Sequence, residues 1–287
     1  PDTSPRSLRP SSSRAWCGDP VSPLAPDPAP VPGTTDSPIS PQDVVAYTSP
    51  RDGLPPVTDS PEALRRAVEA LAAGTGPVAV DAERASGFRY GQDAYLVQLR
   101  RAGSGTVLID PLATGPLDEL ARVLDGPEWI LHAADQDLPC LTSLGLTSRS
   151  LFDTELAARL LGRAHVGLGA VIEETLGLRL AKDHAAADWS VRPLPESWLV
   201  YAALDVELLA ELRQALGAEL AAVGKAEWAA QEFEFERTRP PRPARVDPWR
   251  KTPRAGRAVR SRRSLAVLRE LWTAREQLAA ELDRTRS

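Results

Sequence analysis

Between residues 60 and 223 the apolar positions follow two distinct rhythms, and outside that span the rhythm fails until the last 25 residues. Ser60-Pro61-Glu62 offers an N-cap, a proline at the first helical position and an acid in the first turn. Leu64, Ala67, Val68 and Leu71 then recur at helical spacing, and Gly74 stops the helix. Three runs of strand character follow. Pro77–Ala82 is almost wholly apolar and is expected near the centre of a sheet. Ala94–Arg100 puts Tyr95, Val97 and Leu99 on one face, and Thr106–Asp110 follows a Gly-Ser-Gly turn. Helix and strand then alternate. Helices are predicted over Leu117–Leu124, over Asp135–Leu144 (broken early by Pro139) and over Thr154–Leu161, with short strands at Trp129–His132 and Leu151-Phe152 between them. Ser197–Val223 reads as helix almost throughout. A three-strand meander followed by αβαβ predicts an α/β sheet with one antiparallel portion.

The flanks differ in composition. Fourteen of the 27 prolines lie in residues 1–60, mixed with Ser, Thr and Asp and without period, so residues 1–56 are expected to be a disordered tail. Of the 34 basic and 39 acidic residues in the chain, residues 237–263 hold eleven and one, which leaves the remainder acidic by 15. This stretch is either an exposed linker or a strap that contacts phosphates. After it, Leu265, Leu268, Leu271 and Leu278 mark one amphipathic helix, which must dock on the body or belong to a further domain.

Hydrophobic residues make up 43% of the 287, which excludes a wholly disordered chain. Two cysteines, Cys17 and Cys140, are too few for a disulfide scaffold and too distant for a zinc knuckle, which points to a reduced, cytoplasmic setting. No apolar run approaches the roughly 18 residues of a membrane span, and no secretory core lies in the first 30 residues. Methionine is absent, even at position 1, so the chain is expected to lack its native start.

Three sets of acids stand in apolar surroundings. Asp81 and Glu83 follow Pro-Val-Ala-Val, and at i and i+2 of a strand they share a face. Like charges there repel unless a divalent cation neutralises them, although such a pair alone is more often a solvated strand end. Asp135 and Asp137 lie just past Trp129–His132, where Asp135 is expected to cap a helix and Asp137 to stand in its first turn. The third set breaks a pattern. The stripe Trp198, Ala202, 205, Leu209, Leu212 has an acid at Asp205, which needs a cation or hydrogen-bond donors, and Tyr201 one turn earlier can reach the same space. Four carboxylates converging on one cleft would suit two hard divalent cations about 3.5–4 Å apart, an arrangement that clamps both oxygens of a phosphodiester exchange.

Three segments, Asp81-Ala-Glu83, His132-Ala-Ala-Asp-Gln-Asp137-Leu-Pro and Tyr201-Ala-Ala-Leu-Asp205, occur in order and resemble the motifs of the DEDD 3′–5′ exonucleases. Residues 88–100, 151–162 and 186–195 agree with the same family, and the layout is most similar to its ribonuclease D branch over about residues 57–225. The resemblance implies a ribonuclease H-like fold, a mixed five-stranded sheet flanked by helices. It implies that Asp81, Glu83, Asp137 and Asp205 bind two metal ions, Mg²⁺ or Mn²⁺, and that Tyr201 orients the attacking water. Val200 stands five residues before Asp205, where the other subclass carries histidine, so the tyrosine subclass is implied. Asp153 and Asp188 are expected to be structural or to support the ligands rather than to bind metal, and His132, His165 and His184, far apart and without i, i+4 pairing, are expected to be structural or surface groups. Residues 263–275 are similar to the first helix of an HRDC domain, so residues 226–263 are expected to be linker and strap and 264–287 a partial HRDC domain.

The implied activity is metal-dependent removal of nucleoside 5′-monophosphates from RNA 3′ ends, with transfer-RNA 3′ trimming as the implied role. The alternatives are the same chemistry on DNA and a silent nucleic-acid-binding module. Aromatic residues are only 5%, which favours backbone contacts over base stacking. No protein partner and no membrane is expected.

Overall fold

A computed structural model describes residues 44–181, 187–240, 245–255 and 259–285. Expectations for residues 1–43, for His184 and for the strap residues 241–244 and 256–258 lie outside the described residues. The centre is a six-stranded sheet in the order β2-β5-β4-β3-β6-β7. Its strands are β2 (Val57–Thr58), β3 (Thr75–Arg84), β4 (Ala94–Ala102), β5 (Gly105–Ile109), β6 (Trp129–Leu131) and β7 (Leu151–Asp153). The meander β3-β4-β5 is antiparallel, whereas β6 and β7 continue from β3 in parallel. The expected five strands gain a sixth because Val57–Thr58 pairs in parallel with β5.

Helix α1 (Pro61–Ala73) begins as its sequence dictates. The Ser60 hydroxyl accepts from the Ala63 N–H at 3.3 Å, and the N–H of Gly74 closes the last turn on Ala70 and Leu71. With α2 (Asp118–Leu124) and α3 (Leu138–Ser143) it covers one face of the sheet, against Val78, Val80 and Ala82 of β3. The opposite face takes Ala79, Asp81 and Glu83, since neighbours on a strand alternate. It is covered by α4 (Thr154–Leu160), α5 (Leu168–Leu176), α6 (Glu196–Glu207), α7 (Leu209–Ala222) and α8 (Ala226–Thr238).

Four expectations need correction. Residues 44–56 are not all tail. Strand β1 (Val45–Tyr47) pairs in parallel with β8 (Leu178–Leu180), about 130 residues away, a contact that no local pattern reveals. Residues 226–238 form α8 rather than linker, because Ala229 and Phe233 bury one side against Phe152, whose ring centroid lies 4.7 Å from that of Phe233. Pro139 does not break α3 but opens it, so the helix starts at Leu138 and Asp137 takes the N-cap position instead of Asp135. The long helix of 197–223 is two helices, parted at Leu208.

The last helix, α9 (Arg262–Glu281), is capped by the Ser261 hydroxyl. It meets the body at the loop after β3. The Tyr90 hydroxyl bonds Glu276 at 3.3 Å, and Asp283 accepts from the Tyr90 N–H and pairs with Arg89.

Candidate active site

The strand register brings the expected acids together. Asp81 and Glu83 stand opposite Gln98 and Leu96 of β4, on the face beneath α6, and the pairing shifts directly after Glu83. Helix α6 crosses β3, β4 and β5 with Ala202, Ala203, Leu204, Val206 and Glu207 all buried. That burial leaves Asp205 half-buried on the side of the sheet acids. One carboxylate oxygen from each of Asp81, Glu83 and Asp205 lies within 4.8 Å of the others.

Asp137 reaches the cluster from the N-terminus of α3. It shares a hydrogen bond with Asp81 and pairs with the Arg84 guanidinium at 3.3 Å. Arg84 also donates to the Gln136 carbonyl, which fixes it across the turn before α3. That turn depends on Asp153. Its carboxylate accepts from the N–H groups of Ala133 and Ala134 at 3.2 and 2.8 Å, and it caps α4 through Glu155 and Leu156. Ala133 lies at φ 59, a left-handed conformation that a non-glycine residue adopts only when its surroundings impose it.

Tyr201 lies one turn before Asp205 and hydrogen-bonds to its carboxylate. Its ring packs 6.4 Å from Trp189, which in turn lies 5.4 Å from Trp198. Asp188 accepts from the Ser190 hydroxyl and N–H and does not join the cluster. His132 bonds Thr154 through Nδ1, and burial lowers its pKa to about 4, so it is a neutral structural group. Arg84, Gln98 and Glu207 escaped the sequence reading.

Crowded acids in a recess resist ionisation. Burial, then the charges of Asp81, Asp205 and Asp137, push the Glu83 carboxyl up to about 10. Burial and the Asp81 charge hold Asp137 and Asp205 well above the usual carboxylate range, opposed by Arg84 and by Tyr201 respectively. Burial also raises Asp81. An all-oxygen donor set at this spacing fits hard divalent cations, whose charge would let all four acids ionise together.

A pH dependence follows. Each acid keeps its proton in the folded chain at pH values where the unfolded chain has released it, so the native state binds more protons and stability falls as pH rises. The window opens near the ordinary carboxylate pKa, about 4, and closes at the Glu83 value of about 10. In chelator, the melting temperature is therefore expected to drop between about pH 5 and about pH 8.5. Mg²⁺ should raise it more at the upper end than at the lower. A gap between loaded and chelated protein that narrows with pH would contradict this account.

The chain matches the family model described as 3′–5′ exonuclease over residues 56–221. Ribonuclease D of Gluconacetobacter diazotrophicus is 35% identical over 217 residues, covering 73% of this chain and 54% of that protein. A solved protein from Bifidobacterium adolescentis is 46% identical with a TM-score of 0.82, covering 85% of this chain and 60% of that one. The solved structure of Escherichia coli RNase D, an exoribonuclease involved in structured RNA processing, is 32% identical with a TM-score of 0.64, covering 80% of this chain and 62% of that one. The chain spans about half the length of the curated relatives it matches. No helix among the described residues is long and apolar enough to cross a membrane. The matched span contains β3, α3 and α6, the three elements that carry the carboxylates, and the chain belongs to the 3′–5′ exonuclease family.

Proposed function

We propose that this chain is a 3′–5′ exoribonuclease of the ribonuclease D type, releasing nucleoside 5′-monophosphates from RNA 3′ ends with Mg²⁺ or Mn²⁺. The observation that carries the reading is the convergence of Asp81, Glu83 and Asp205 within 4.8 Å, with Asp137 bonded to the first and Tyr201 to the last. Asp81, Glu83 and Asp205 would hold one cation, and Asp81 with Asp137 a second. When bound, such cations supply a more acidic attacking water and charge stabilisation for the leaving 3′ oxygen.

The residues of the chain do the positioning. Burial and the neighbouring carboxylates raise the Tyr201 phenol, so it stays protonated at neutral pH. It therefore acts as a hydrogen-bonding guide for the attacking water and not as the base. Trp189 limits how far its ring can swing. Arg84 compensates Asp137 while the turn at Ala133 holds that acid at the mouth of the cluster. Arg245, Arg250, Lys251 and Arg254 of the strap would draw the phosphate backbone toward an otherwise acidic body.

RNA is preferred to DNA, and transfer-RNA 3′ trimming is the proposed role, because the relatives carry the name ribonuclease D. The proposed compartment is the cytoplasm, in keeping with the free buried thiol of Cys140. Helix α9 is proposed as the first helix of an HRDC-type module, in keeping with the exposure of Val267, Leu271 and Leu278.

The test is a 5′-labelled single-stranded RNA, with a matched DNA, incubated with Mg²⁺, Mn²⁺ or EDTA. A ladder shortening from the 3′ end is expected with either metal and not with EDTA, and it should advance more slowly on DNA. RNA that stays bound and intact in Mg²⁺ and Mn²⁺ would overturn the reading in favour of a silent binding module.

A further inference from the structure

Gln98 is fully buried, and neither its amide nitrogen nor its amide oxygen has a hydrogen-bond partner among the described residues. It lies in the middle of β4, directly opposite Asp81. Opposed residues of an antiparallel pair point to the same face with Cβ atoms about 4.5–5.5 Å apart, so the carboxamide shares the face of the metal-site acids. Its other neighbours on the sheet are apolar, and the indole Nε1 of Trp189, in the same cluster as Leu96 and Leu108, is likewise buried without a partner among the described residues. Leu108 is its partner on β5, Leu96 precedes it on the same face, and Ala202 and Ala203 of α6 join the same apolar cluster. Arg100, two residues on, is a donor already engaged with Thr106, Asp52 and Glu207.

A buried polar group without a partner destabilises a fold, whereas an apolar side chain of the same shape is nearly neutral or stabilising. The fold alone therefore asks for leucine or methionine here, in keeping with the Leu96 and Leu108 around it. What sets this position apart is its register with Asp81. Carboxylates that ligate metals are as a rule held by an outer hydrogen bond that fixes their direction.

We infer that Gln98 is a positioning residue for Asp81: in the loaded site its amide N–H donates to the Asp81 carboxylate and sets which oxygen that acid presents to a cation. The inference rests on the proposed nuclease reading of the cluster. A neutral amide suits the task because it restrains the acid without competing for it as Lys or Arg would.

The experiment compares the parent chain with Gln98→Met and Gln98→Leu, each with both amide atoms removed. Three quantities are read: melting temperature in EDTA, Mn²⁺ affinity by calorimetry without RNA, and kcat and KM on the labelled RNA. Melting in EDTA is expected to stay level or rise, since no bond is lost. Mn²⁺ affinity should fall by about 10–100-fold, and kcat should fall with KM for RNA unchanged. Mn²⁺ affinity equal to that of the parent in a folded variant overturns the inference while leaving the nuclease reading intact. If both variants unfold in EDTA, the amide serves the metal-free fold and the inference falls. A parent chain that binds no Mn²⁺ takes down the nuclease reading, and this inference with it.

Discussion

Asp205→Asn is expected to slow mononucleotide release by about a thousandfold while leaving the metal-free protein as stable as the parent or more so. The two effects have opposite signs for one reason. Asp205 sits within 4.8 Å of two other carboxylate oxygens and is held well above the usual carboxylate range by burial and by Asp81. Asparagine keeps the shape and an oxygen for the Tyr201 hydroxyl, and it is neutral without having to take up a proton on folding. The metal-free fold therefore loses nothing by the change. On the proposed mechanism the Asp205 carboxylate would be a ligand, and losing about 4 kcal/mol of transition-state stabilisation corresponds to about three powers of ten in rate. Single-turnover rates in Mg²⁺, set beside melting curves in EDTA, check both halves. A variant within tenfold of the parent rate would remove Asp205 from the site, and a lowered melting temperature would show that the acid serves the fold.

The largest loss of stability is expected from Asp153→Ala. One oxygen of Asp153 accepts from the N–H groups of Ala133, Glu155 and Leu156, at 3.2, 2.8 and 3.1 Å, and the other accepts from Ala134 at 2.8 Å. Losing the cap on α4 costs about 0.5–2 kcal/mol, and each buried N–H left without a partner adds about 1–3 kcal/mol. A total of about 3–5 kcal/mol is expected after partial relaxation, equivalent to a fall of roughly 6–20 °C in melting temperature for a body of this size. Asp153→Asn retains one acceptor oxygen and should lose about half as much. The alanine variant should also weaken divalent-cation binding, because the left-handed turn at Ala133 that leads to Asp137 loses its anchor. Thermal melts of the three proteins test the order, and an alanine variant that melts with the parent would refute it.

The chemistry of this site was more legible in the sequence than the architecture that supports it. Asp81 and Glu83 could be assigned to one face because strand side chains alternate, and Asp205 stood out because an acid interrupted an apolar helical stripe. Both signals are local. Asp137 was ambiguous because an acid at a helix start has an ordinary explanation, and the resolving contacts come from Arg84 and Asp81, both on the distant strand β3. Gln98 passed unnoticed within Tyr-Leu-Val-Gln-Leu, since a polar residue in a strand reads as solvent-facing until the register places it opposite Asp81 and under α6. Strand β1 and helix α8 were missed for a related reason. The pairing of Val45–Tyr47 with Leu178–Leu180 has no nearby partner to announce it, and α8 buries Ala229 and Phe233 while leaving Trp228 and Phe235 exposed among its acids, so no clean apolar stripe marks it.

Glu207 carries a further consequence. Its side chain is wholly enclosed two residues beyond Asp205, and it is neutralised by Arg100 at 3.3 Å and by Arg51 at 2.7 Å, with the Tyr47 hydroxyl also donating to it. The span that matches the family model begins at residue 56, so Arg51 and Tyr47 lie upstream of it. The stretch by which the chain is recognised is thus shorter than the stretch it needs in order to hold together. What separates the two is a counter-ion, together with the core contacts of Tyr47 and Leu54. A fragment cut at the family boundary would carry every acid of the cleft and leave Arg100 alone to answer the buried charge of Glu207, at the foot of the helix that bears Tyr201 and Asp205.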